Sequence, residues 1–190
     1  MPENPVPENP VPENPVPEAP GPEIPVPENP VPENPVPENP VPEQPRPRTQ
    51  RKADVLARLS APVADCWVAT ADADEPYLVP LTAAWFQERI ILATSRRSPT
   101  ARNITAHGRA RVGLGPTRDV ILIDATLAET IPATASGEIG EAYAKQNDWD
   151  PREAGEGFVF LALRPQRIQA WREENELPNR LLMQDGKWLV

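Results

Sequence analysis

TSRRSPTARNITAHGRARVGLGPTRDVILID, residues 94–124, holds a strand end, a cationic turn, a capped helix and two further strands. Ser98 carries an N-cap side chain, and Pro99 suits the first helical position, where a missing N–H costs nothing. Gly108 is a natural stop. The spacing predicts a helix over 99–107. After it, Arg109–Gly115 alternates, with Ala110, Val112 and Leu114 on one face. Val120–Ile123 is apolar on both faces, as expected of a central strand. At the helix start the N–H groups of Thr100 and Ala101 have no intrahelical partner. Arg96, Arg97 and Arg102 lie close by in sequence. A helix N-terminus with arginines and hydroxyls suits a phosphate, so a phosphorylated small molecule is the first ligand to consider.

Upstream, Thr49–Leu59 places Val55, Leu56 and Leu59 on one side of a short amphipathic helix. Ala64–Ala71 reads as a strand, residues 72–75 as a polar turn, and Tyr77–Phe86 as a second strand broken in register by Pro80. Gln87 and Glu88 make a tight connection to a third strand, Arg89–Thr94, so these three form a meander. Downstream, Ser136–Gln146 is an amphipathic helix with Ile139, Ala142 and Tyr143 inward. Phe158–Leu163 is a buried strand, and Arg167–Arg172 a weakly alternating one. Short turns between strands, with helices at the crossovers, predict a mainly β fold: an antiparallel barrel with peripheral helices.

Composition divides the chain. From Pro2 to Arg46 it is nine pentads of the form Pro-Glu-x-Pro-x, mostly PENPV, and 19 of the 28 prolines fall in residues 2–47. The formal charge of −9 is concentrated there: residues 1–48 carry nine Glu and two Arg. The acidic balance therefore describes the tail and says little about the folded part's ligand. Proline at two of every five positions sustains neither helix nor central strand, and the tail has too little apolar surface to offset ordering entropy. Residues 1–48 are expected to be a disordered, polyproline-II-biased spacer, reaching about 140 Å at full extension. P-E-N-P also fits PxxP, so a proline-binding partner stands beside a low-complexity extension with no partner. Residues 49–190 have the size of a single domain.

Cys66 is the only cysteine, which excludes an intramolecular disulfide, and its apolar neighbours make it a small core residue rather than a reactive thiol. No apolar leader and no run of about 18 apolar residues is present, so no signal peptide and no membrane span are expected, and the cytoplasm is the default location. A single histidine and one distant cysteine argue against a zinc site. Gly113-Leu114-Gly115-Pro116 lacks the strand–GxGxxG–helix context of a dinucleotide fold. A slightly acidic domain without a basic stripe argues against nucleic acid.

WVATADADEPYLVPL, IILATSRRSPTARN, RARVGLGPTRDVILIDATL and PQRIQAWREENEL, in that order and spacing, resemble the pyridoxamine 5′-phosphate oxidase-like split-barrel proteins over about Ala53 to Val190. The resemblance implies a six-stranded antiparallel Greek-key split β-barrel that forms a homodimer, with the cofactor at the dimer interface. It implies FMN or the deazaflavin coenzyme F-420 as cofactor and an oxidoreductase acting on an unidentified small-molecule substrate. Haem-degrading members and members with no known reaction also exist. Pro80, Leu81 and Thr82 would face the ring. Thr94, Arg96, Ser98, Thr100, Arg102 and Asn103 would hold the phosphate. Many relatives have lysine where this chain has Thr100, so one of the arginines substitutes for it or the phosphate is held more weakly. The pattern does not match authentic pyridoxamine 5′-phosphate oxidases closely enough to assign that substrate.

Each of these residues also has a plainer role. Ser98 can cap its own helix, and Arg102 can be solvated charge. Pro80 can be an edge-strand proline, and Thr82 can pack on the sheet. His107 sits in the last helical turn, where a cation complements the dipole. Arg172 or Trp171 would either meet the partner subunit's cofactor or complete an amphipathic edge strand. A non-enzymatic flavin carrier or sensor, and a cofactor-less scaffold working through the tail, are the alternatives to an enzyme.

Overall fold

The computed structural model describes residues 44–72 and 75–190. Residues 1–43 of the pentad tail, with their expected disorder and proline-motif partner, lie outside them, as does the middle of the 72–75 turn; residues 44–48, expected as the end of the spacer, lie inside, and Arg48 opens α1. Three helices, α1 (Arg48–Leu59), α2 (Pro99–His107) and α3 (Gly137–Asn147), accompany eight strands: β1 (Ala64–Ala71), β2 (Pro76–Phe86), β3 (Arg89–Ser95), β4 (Arg109–Leu114), β5 (Val120–Pro132), β6 (Phe158–Trp171), β7 (Leu181–Gln184) and β8 (Lys187–Trp188).

Every strand pairing is antiparallel, and six strands close in the cyclic order β1-β2-β3-β6-β5-β4. The closure follows from alternation. β1 buries Ala64, Cys66, Val68 and Thr70, and β4 buries Ala110, Val112 and Leu114. Those side chains fill the interior together with Ile90, Leu92, Ile123, Leu161 and Leu163. Val55 and Leu59 from α1, and Ala101 and Ile104 from α2, join the same cluster. A second cluster lies outside the barrel. There α3 lays Ile139 and Tyr143 over Ala84, Ile91 and Phe160, with Tyr143 and Phe160 edge to face at 5.4 Å. The alternate residues of β2, β3 and β6 are thus buried too, because a helix covers their outer face.

Local signals set α2 as expected. Ser98 Oγ accepts from the Ala101 N–H at 3.1 Å, and Gly108 takes φ +67° and closes on Ile104 O. Gln87 and Glu88 both have positive φ, which fits a two-residue hairpin whose twist matches its strands.

Four expectations need correction. β2 is not broken at Pro80: it runs in continuous register from Pro76 to Ala83 against β1. Val120–Ile123 is only the start of a 13-residue strand, central between β4 and β6 but buried on one face, since Leu122 is half-buried. Phe158–Leu163 and Arg167–Arg172 are one strand, β6, which passes Pro165 through a bulge at Gln166 and ends at Trp171. Ala142 on α3 is half-buried, and Gly140 and Asn147 take inward positions instead. Among the described residues no helix is long and apolar enough to cross a membrane.

Candidate functional site

The barrel opens between β2 and β3. Their ladder runs from Phe86↔Arg89 to Ala83↔Leu92. Continuing it would set Leu81 across from Thr94 and Val79 across from Arg96. The strands part instead: β2 stays with β1, β3 follows β6 to Ser95, and α2 packs against β1, β2 and β3 at the gap. Residues 76–82 of β2 therefore have no partner strand on that side. The Phe86↔Arg89 pair closes the turn, so even-numbered residues turn their N–H and C=O toward the gap. Pro80 is even-numbered, so its missing N–H orphans no ladder bond, which is why the strand continues through it.

The structure gathers Pro80, Leu81 and Thr82 in one cleft of about 600 Å³ with Asp65, Cys66, Trp67 and Gly115. Register explains the set, since Thr82, Leu81 and Pro80 stand opposite Asp65, Cys66 and Trp67. Trp67 is 55% exposed and Leu78 58% exposed, so this wall is apolar and open. Burial, with the Asp65 carboxylate adding to it, pushes the Cys66 thiol up to about 12, so it is not a thiolate near neutrality. Thr82 is held from outside the barrel. Its Oγ1 lies 2.8 Å from Tyr143 Oη, and its carbonyl accepts from that hydroxyl at 3.3 Å. Burial raises the phenol above its ordinary value, so Tyr143 stays a donor.

The cationic turn follows the end of β3. Arg96 and Arg102 line a smaller cleft of about 430 Å³ with Ala101, Thr105 and Thr130. Arg96 Nη2 donates to Glu156 O at 3.2 Å, and Arg102 Nη1 to Arg97 O at 2.6 Å. Among the described residues no carboxylate pairs with Arg96, Arg97 or Arg102. Three guanidinium groups at one helix start, two of them bonded only to carbonyls, leave donors and charge for an anion. The remaining candidates face inward. Thr94 donates to Ser98 Oγ at 3.2 Å, and Ser98 caps α2. Thr100 is 2% exposed, and Asn103 donates to Thr70 Oγ1 at 3.2 Å, tying α2 to β1.

Arg172 is not in the lining of either cleft. Its N–H donates to Glu176 Oε2 at 2.6 Å and its Nη2 to Asp119 Oδ2 at 3.2 Å. Both acids belong to a charge cluster that sequence reading missed. Arg46 donates from its backbone N, Nε and Nη2 to Glu176, at 2.9, 2.8 and 2.8 Å. It also reaches Asp54 at 2.7 Å and Asp119 at 3.2 Å. The one available signal was that arginine ends the ninth pentad where valine ends most others. His107 is half-exposed in the last turn of α2, 3.9 Å from Asp72.

No family model and no curated protein sequence matches the chain. Solved structures do. The conserved hypothetical protein Rv2991 from Mycobacterium tuberculosis matches at TM-score 0.51 and 16% identity, over 65% of this chain and 86% of that one. A heme binding protein from Mycobacterium smegmatis matches at TM-score 0.51 and 18% identity, over 74% of this chain and 59% of that one. The chain has the split-barrel fold of the pyridoxamine 5′-phosphate oxidase-like proteins. An F420 reductase is also similar, at TM-score 0.49 and 20% identity, over 59% of this chain and 93% of that one. In this split barrel the split is the β2–β3 gap. Pro80–Thr82 lie on its β2 side and Thr94 near the end of its β3 side, while Arg172 belongs to the Arg46 cluster.

Proposed function

We propose that this chain binds a flavin-type cofactor, FMN or F-420, at the β2–β3 gap and serves as a homodimeric oxidoreductase for a small-molecule substrate. The observation that carries the reading is the set of three arginines at the start of α2 that have no carboxylate partner among the described residues. Arg96, Arg102 and the first turn of α2 bind the phosphate end. The Thr82 N–H and the Pro80 carbonyl, left free by the missing strand, orient the ring, and Trp67 and Leu81 exclude water from it. When bound, the ring system supplies the hydride or electron chemistry.

Titration of the apo-protein with FMN and with F-420, followed by fluorescence, tests the reading. Arg102→Ala weakens the cofactor by about ten- to a hundredfold if its guanidinium bonds the phosphate. Equal affinity in the variant removes Arg102 from the site, and no binding of either cofactor overturns the proposal.

A carrier or sensor without turnover is the second reading. What favours it is that Cys66 stays protonated and Tyr143 is committed to Thr82, so neither is a ready base beside the ring. A flavin that cycles between redox states with no substrate preference supports this alternative.

The dimer is read from the barrel's outer face. Pro80, Trp67, Gly113 and Leu122 stand side by side across β2, β1, β4 and β5, with Leu78 alongside. Such a patch suits burial against a second copy. Trp67→Glu shifts the sedimentation coefficient from dimer to monomer while the far-ultraviolet spectrum is kept. A variant that remains dimeric places the interface elsewhere.

A further inference from the structure

We propose that the cleft between the β2–β3 and β7–β8 turns binds a small planar carboxylate. The cleft measures about 500 Å³ and shares no residue with the two described above. Its frame is three irregularities held together. The β2–β3 turn has positive φ at Gln87 and Glu88, the β7–β8 turn at Asp185 and Gly186. The third is the β6 bulge, where the Gly186 N–H donates to Gln166 O at 3.0 Å. Two-residue turns of this kind are rigid, so the walls are fixed before any ligand arrives.

Two guanidinium groups point to the chemistry. The β3–β6 ladder ends at Ile90↔Leu163, so the next position outward sets Arg89 opposite Arg164, and both line the cleft. Like charges directly opposite across two strands repel. Glu129 offsets one of them, pairing with Arg89 Nη1 at 3.8 Å, while Arg89 Nη2 donates to the neutral Gln87 Oε1 at 2.9 Å. The Arg89 side chain is only 18% exposed. Arg164 has no ion pair among the described residues. An anion held by the Arg164 fork beside Arg89 relieves the remaining repulsion.

The other walls fix the body of the ligand. Trp85 and Trp188 are half-buried flat rings against the interior cluster, and Met183 is buried beside them. With Arg89 paired to Glu129 and Glu88 at the exposed rim, Arg164 is the charge left for a ligand, which suits a monoanion better than a phosphate dianion. One or two fused rings bearing a single carboxylate match this lining and volume.

The test is calorimetric titration of the full chain with 2-naphthoate, alongside neutral naphthalene-2-methanol and with tryptophan emission as a second readout. The expected result is saturable naphthoate binding that changes the emission, with the alcohol weaker by about tenfold or more. Arg164→Gln, an exposed position that leaves the fold intact, loses a similar factor for naphthoate and leaves the alcohol unchanged. Lack of saturation by naphthoate overturns the proposal. So does equal affinity for acid and alcohol, or an Arg164→Gln variant that binds naphthoate as the parent does.

Discussion

Arg46→Ala lowers the stability of the folded part by about 3 kcal/mol at neutral pH. The reason is what remains behind. The Glu176 carboxylate is 1% exposed, and its side-chain partner is Arg46, with the Arg172 N–H adding one backbone donor. Removing one member of such a pair strands a charge in a place water cannot reach. Burial alone pushes the Glu176 carboxyl up. The Arg46 side chain and N–H, then the Arg172 N–H, override it and hold the group down at about 2. Its folded value lies below the unfolded carboxylate range near 4.5, so its contribution is present above that range and lost as pH falls toward 2. Without Arg46, burial wins and the sign reverses: the variant gains relative stability as the carboxyl takes up a proton. Urea unfolding at pH 7 and pH 3 checks this. The gap between parent and variant narrows in acid, and an equal gap at both values refutes the assignment. The Glu176→Gln, Arg46→Ala pair costs less than Arg46→Ala alone.

Gly115→Ala costs about as much, by another route. Gly115 has φ +88°, which L side chains rarely adopt, and an added Cβ meets the Asp119 carbonyl oxygen and the Arg58 guanidinium. The guanidinium is the end of a flexible chain and swings away. The carbonyl is backbone, so the turn at 116–119 has to move. Asp119 holds Arg46, Arg58 and Arg172 at 3.2, 3.1 and 3.2 Å, and all three contacts loosen together. Strain and lost contacts sum to about 3 kcal/mol or more. Gly108 is the control. It has φ +67° with nothing within 4 Å of an added Cβ, so Gly108→Ala shows the backbone strain alone, about 1 kcal/mol. Thermal unfolding of the two variants checks the difference. A Gly115→Ala midpoint equal to that of Gly108→Ala removes the steric argument.

What the sequence made legible was local. Ser98, Pro99 and Gly108 fix α2 to the residue because caps depend on neighbours only. Strict alternation fixes β1 in the same way. The misses share a cause, which is tertiary contact overriding a local sign. Pro80 and Pro165 look like strand breaks, yet one stands on an unpaired edge and the other beside a bulge, where no N–H is needed. The β7–β8 hairpin carries a local turn signal, Asp185-Gly186 between Met183 and Trp188. Thr100 and Asn103 look available at a helix start, but which side of α2 meets the barrel is set by Ile104 and the core. Arg46 was read as tail because composition marks the boundary, whereas its partners lie 8, 73 and 130 residues away.

β6 holds the barrel shut. One edge pairs with β5 along nearly its whole length, while the other meets β3 first and β7 later. Its bond to β3 joins Ile90 to Leu163, a long stretch of chain apart. During synthesis on the ribosome, therefore, β1 to β5 emerge as an unclosed sheet whose β3 and β5 edges wait for a strand not yet made. Long-range closure of this kind is slow, and bare edges invite neighbouring chains. A nonsense codon between Pro132 and Phe158 leaves an adhesive half-sheet, a substrate for chaperones and proteases, in place of a smaller barrel.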